Sequence, residues 1–185
     1  QLNYKYPQIY LNTSTFNTAG NSDGQIDSHN NPGVAWTDVR DDTIGVFSST
    51  DSEFIARNNA GYSVSRWGQS YNTGPTLTAN ANINSANIKL YINSTDFFNE
   101  SSSSADLVGT TPATPGTFQN NDFPNFGTTV FKTIALASLT QNAYNTWASS
   151  ATLISNISLT GWSNFGMRNS RDTANSAPGA TERNV

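Results

Sequence analysis

Between positions 87 and 93 the chain alternates: Ile88, Leu90 and Ile92 fall on one side, Asn87, Lys89 and Tyr91 on the other. A period of two sends successive side chains to opposite faces of a pleated strand, so the segment reads as a half-buried antiparallel strand. Phe165, Met167 and Asn169 alternate in the same way with Gly166 and Arg168, and residues 62–67 form a third such run. Weaker patterns predict strands at 6–11, 36–39, 44–47, 53–56 and 130–137. Turn chemistry separates them at Asp23-Gly24, Asn31-Pro32-Gly33, Asn59-Ala60-Gly61, Gly74-Pro75 and Pro115-Gly116. Many short strands punctuated by Gly, Pro and Asn predict an all-β fold, an antiparallel β-sandwich or jelly roll.

The rest of the chain adds long loops and little helix. Residues 101–104 are a serine run and 110–116 carry two prolines, so both read as loops. Ala151, Ile154 and Ile157 recur at three-residue spacing and predict at most one short helix, weak because Ser, Thr and Asn are poor helix formers. No repeat and no break in composition divides the chain, so residues 1–185 read as a single domain.

Composition then narrows the function. The 185 residues include 25 Asn, 23 Ser and 23 Thr, with no cysteine, one histidine and only 12% charged side chains. Four Trp, seven Tyr and ten Phe are too many aromatics for an ordinary disordered chain. The reading is an aromatic core under a neutral surface of amides and hydroxyls, common on proteins that work outside the cell. Without cysteine there is no disulfide, thiol nucleophile or Cys-ligated metal. The formal net charge of −4 argues against nucleic acid as a partner, and no apolar run reaches bilayer length, which argues against membrane insertion.

The order of segments carries a resemblance. Trp36-Thr37-Asp38-Val39-Arg40, the strand from Ile83 to Tyr91, Phe126-Gly127-Thr128-Thr129, Tyr144-Asn145-Thr146-Trp147 and the run from Gly161 to Arg168 follow one another. Together they resemble the DNRLRE-type β-sandwich modules, which look like carbohydrate-binding jelly rolls of bacterial surface proteins and phage structural proteins. Ile88 and Met167 stand where the family's two signature strands usually have Leu. The segment Gln69-Ser70-Tyr71-Asn72-Thr73-Gly74-Pro75 departs from the family's usual pattern before the first of them. The resemblance implies a further strand after Val185, and so a sandwich whose final strand is missing or supplied by another chain.

Candidate site residues are few. Trp36, Trp67 and Trp147, together with the tyrosines, are candidates for sugar stacking, because flat apolar rings match the C–H faces of sugars. The alternative is core packing. Asp23, Asp27 and Asp41 belong to an acidic first third that includes Asp38, Asp42, Asp51 and Glu53. Loop carboxylates of this kind are candidate calcium ligands, the one cofactor the sequence suggests, although EF-hand spacing is missing. Asn12, Asn93, Asn99 and Asn156 open N-x-Ser/Thr sequons. His29 lies in a loop with no nucleophile or orienting acid marked beside it. Arg168 is read as a structural ion-pair residue with Asp172 as its local partner.

The expected function is a non-catalytic structural or adhesion module on an extracellular or virion surface: capsid decoration, a tail component or a binder of surface glycans. Its partners would be copies of itself, other structural proteins, or those glycans. A second expectation is a subunit of an extracellular filament assembled by strand exchange, with residues 1–11 as the donated strand. A polysaccharide-active enzyme would need a convergent pair of carboxylates, and no spacing marks one out.

Overall fold

The computed structural model describes residues 23–28, 33–49, 54–58, 61–92 and 103–179. Nine strands occur among them: β1 (Asp23–Ser28), β2 (Val46–Ser48), β3 (Ile55–Asn58), β4 (Tyr62–Asn72), β5 (Ile88–Ile92), β6 (Ser104–Thr110), β7 (Phe126–Ala135), β8 (Ala143–Trp147) and β9 (Trp162–Asn169). Seven make one antiparallel sheet in the order β2-β1-β4-β9-β6-β7, with β3 pairing on β4, while β5 and β8 form a second, two-stranded sheet. The fold is antiparallel all-β and sandwich-like.

The core is split between the two faces of the large sheet. On one face Trp67, Met167 and Leu107 stand side by side in register across β4, β9 and β6. They pack with Trp147 and Ile88 of the small sheet and with Leu136 and Leu153. On the other face Ile26 and Val64 pack with Trp36, Phe118, Phe123 and Phe126.

That second face is shaped by a row of glycines. Gly24, Gly68 and Gly166 are register partners across β1, β4 and β9, and Val108 of β6 continues the row. A Cβ on Gly24 would meet the Phe47 ring at 2.6 Å, one on Gly68 the Phe118 ring at 2.6 Å, and one on Gly166 the Phe126 ring at 2.5 Å. Three phenyl rings therefore lie in a trough that only glycine leaves open. Phe118 and Phe126 are neighbours there, with centroids 6.0 Å apart.

The strands predicted at 62–67 and 87–93 are present as β4 and β5, and that at 165–169 is the second half of β9. Those at 44–47, 53–56 and 130–137 appear, shifted at their ends, as β2, β3 and β7. The 36–39 segment is a correction: it is helix α1 (Trp36–Arg40), whose Trp36 and Val39 sit three apart and bury one side. Asp23-Gly24 is a correction as well, since it opens β1 instead of turning; Gly24 sits at φ 148°, where glycine is favoured. Helix α2 (Ala151–Ser155) matches the predicted helix, capped by the Ser150 hydroxyl accepting from the Leu153 amide. It is not alone, because α1, α3 (Ser170–Thr173) and two 3-10 turns accompany it, so the limit of one short helix was too strict. The predicted strand at 6–11 and the turn residues Asn59 and Ala60 lie outside the described residues.

Candidate functional site

A deeply buried charge cluster lies on the glycine-row face. Arg66, two positions before Gly68, and Arg168, two positions after Gly166, each grip Asp172 with two hydrogen bonds. From Arg66 these are 2.8 Å and 2.8 Å; from Arg168 they are 2.7 Å and 2.6 Å. Arg66 also donates to the backbone carbonyls of Phe123 and Arg40, and Arg168 to those of Phe126, Gly127 and Asp172. The Arg66 guanidinium also lies 4.0 Å from the centre of the Phe123 ring. Burial alone would raise the Asp172 carboxyl, but the two guanidiniums outweigh it and hold the group down at about 2. Burial in turn pulls Arg66 below its ordinary value, with Asp172 opposing. The local Arg168–Asp172 pair is the one the sequence suggested. Arg66 is the partner that sequence spacing did not reveal.

Two further buried carboxylates are similarly committed. Asp106 accepts from the Thr133 and Thr173 hydroxyls at 2.5 Å and 2.6 Å. Asp122 accepts from the Ala113 and Gln119 amides and from Asn125 Nδ2, which ties the 111–126 loop together. These groups stabilise connections between strands and loops.

The tryptophan candidates are core residues. Trp36, Trp67 and Trp147 are 6%, 5% and 0% exposed, and Trp36 belongs to a different face of the sheet from the other two. Their indole N–H groups confirm the anchoring role: Trp36 donates to Asn175 and Trp147 to the Ala105 carbonyl. A sugar cannot stack on a ring already covered, so the stacking role assigned to these three is corrected to packing.

The acidic candidates do not converge. Asp23 and Asp27 sit at opposite ends of β1, and Asp41 pairs with Arg40 at the end of α1. Asp27 accepts from Gln25 at 2.7 Å with one oxygen. Burial pushes the Asp23 carboxyl up, with a backbone hydrogen bond opposing. Among the described residues no three His, Asp or Glu side chains come together as a metal set. Asn156 caps α2, and its amide nitrogen donates to the Asn164 carbonyl at 3.3 Å. Asn12, Asn93, Asn99 and His29 lie outside the described residues.

What the surface does offer is a pair of exposed rings. Tyr91 of β5 and Tyr144 of β8 are register partners, 51% and 70% exposed on the outer side of the small sheet. Their centroids are 5.3 Å apart and their planes 77° from parallel. Beside them on the same side Lys89 faces Thr146, both exposed. The sequence placed Tyr91 on the outward side of its strand; only the β5–β8 register brings Tyr144 to it. A second feature is an open cleft of about 630 Å³ between β2 and the 117–121 loop, with Ile44, Phe47 and Phe118 as its apolar lining and Gln119, Asn120 and Asn121 as its amides. Asn120 also closes the outer edge of β2, its backbone and side-chain oxygens accepting from the Gly45 and Phe47 amides at 2.8 Å each. No protein-family model, curated protein or solved structure matches this chain.

Proposed function

We propose that the protein is a non-catalytic structural or adhesion module of an extracellular or virion surface, and that it holds surface glycans on Tyr91 and Tyr144. The exposed tyrosine pair carries the reading. Large aromatic rings are normally buried, and two of them left in water side by side on a sheet face mark a contact surface. Sugars present alternating C–H faces and hydroxyls, which fit phenol rings flanked by an ammonium and a hydroxyl. The commitment of Asp106, Asp122 and Asp172 to structural partners agrees with a binding role over acid–base chemistry. So does the resemblance to carbohydrate-binding-like DNRLRE modules. A glycan array read with the wild type and the Tyr91→Ala/Tyr144→Ala double variant tests it. The expected result is signal on a subset of glycans that disappears in the variant; signal that survives the double substitution counts against the reading.

One observation favours the filament alternative. Among the described residues β7 pairs with β6 alone, and its ten residues carry a single charge, Lys132. Long edge strands with little charge are templates for pairing with another chain. Electron microscopy of concentrated protein separates the two: ordered fibres support strand exchange, and monodisperse particles under all conditions remove it.

A further inference from the structure

Resting on the tyrosine pair as the glycan contact, we infer that the ligand is an individual, solvated glycan chain and not the flat face of a packed, crystalline polysaccharide. Packed chains present one plane, and a surface that binds a plane needs its rings coplanar. Tyr91 and Tyr144 stand at 77° to one another. When one phenol lies flat against such a plane, the edge of the other projects into it and holds the surface away. The same angle makes an inside corner for one sugar ring, which rests its C–H face on one phenol and its flank against the other.

The neighbouring row extends the site by one step. Lys89 and Thr146 are register partners two residues along from Tyr91 and Tyr144, on the same outer side. Two residues of strand rise span roughly 7 Å, so this row lies beside the corner at the distance of an adjoining sugar unit. An ammonium and a hydroxyl there can hydrogen-bond the hydroxyls of that unit. The corner fixes the position of one ring and the second row selects for a chain longer than a monosaccharide.

Calorimetry with cello-, xylo-, manno- and chito-oligosaccharides, from mono- to hexasaccharides, is set beside co-sedimentation with microcrystalline cellulose and chitin. At least one soluble series should bind, with affinity rising about tenfold from the monosaccharide to the trisaccharide and levelling beyond it, while neither powder depletes the protein. Tyr91→Ala and Tyr144→Ala should each weaken binding about tenfold, and Lys89→Gln should flatten the length dependence. Depletion by the crystalline powders that the tyrosine variants abolish would overturn the single-chain inference and leave the glycan reading standing. Absence of binding to every soluble and insoluble glycan, or binding indifferent to both tyrosines, would overturn the glycan reading itself. Thermal melts of each variant confirm that the fold is retained, as expected for such exposed positions.

Discussion

Arg66 on β4 and Asp172 in α3 lie 106 positions apart in the chain and meet through two hydrogen bonds of 2.8 Å inside the protein. Arg168 grips the same carboxylate from β9, so one acidic side chain ties two adjacent strands to the segment that follows them. Arg40 stands 3.7 Å from that carboxylate as a third cation, itself paired with Asp41, and backbone carbonyls supply compensating dipoles around the two buried guanidiniums of Arg66 and Arg168. Removing the carboxylate strands both cations in a dry interior. Asp172→Asn is therefore expected to cost about 3–5 kcal/mol, measured by urea unfolding at neutral pH.

The same group sets the acid limb of stability. Its carboxyl ionises at about 2 when folded against the ordinary 3.8. Above pH 4 the full contribution is present. As pH falls from 4 toward 2 the unfolded chain takes up a proton that the folded one refuses, and stability drops by about 2 kcal/mol from this group. Urea midpoints across that window should fall more steeply in the wild type than in Asp172→Asn. Equal slopes would show that other carboxylates govern acid unfolding.

Tyr71 governs the opposite end of the pH scale. It packs against Phe165 with centroids 6.1 Å apart, and burial, helped by the Asp23 carboxylate, pushes its hydroxyl up to about 12. In the unfolded chain it ionises near 10, so stability is lost as pH rises from 10 toward 12. Ultraviolet titration should show one tyrosine ionising late, and Tyr71→Phe should remove both that phase and its share of the alkaline destabilisation.

The glycine row makes a steric prediction. Gly68→Ala and Gly166→Ala each drive a methyl into a phenyl ring at 2.6 Å and 2.5 Å, which overpacking arguments put at about 1–3 kcal/mol. Gly161→Ala, whose Cβ would meet nothing closer than the Ser158 hydroxyl at 3.5 Å, should stay within about 1 kcal/mol of wild type. Phe118→Leu should recover part of the loss in Gly68→Ala and cost stability on its own. Thermal melts of the six proteins, the Gly68→Ala/Phe118→Leu double variant and wild type included, decide the matter.

Burial of the tryptophans predicts two readouts. Trp147→Ala should cost about 3–5 kcal/mol, since its ring is fully enclosed between the sheets. Glycan titration should leave the emission of Trp36, Trp67 and Trp147 unchanged while tyrosine signals move. Quenching of those indoles by ligand, followed in single Trp→Phe variants, would return the binding site to the core tryptophans.

The sequence by itself determined the β class, the half-buried strands and the contacts that live within a few residues. The alternation at β5 was legible because one side of that strand is packed and the other wet. The Arg168–Asp172 pair was legible because its members are four residues apart. β6 was not: its seven residues read Ser-Ala-Asp-Leu-Val-Gly-Thr and are packed on both faces, so the period of two that marks a half-buried strand is lost. Nor could spacing show that Gly24, Gly68 and Gly166 form one row, that Arg66 joins Asp172, or that Tyr144 stands against Tyr91. Each of those depends on which strand lies beside which and in what register, and a slip of one residue would send every one of these side chains to the opposite face. Tertiary structure alone therefore decided which aromatics became core and which were left in water.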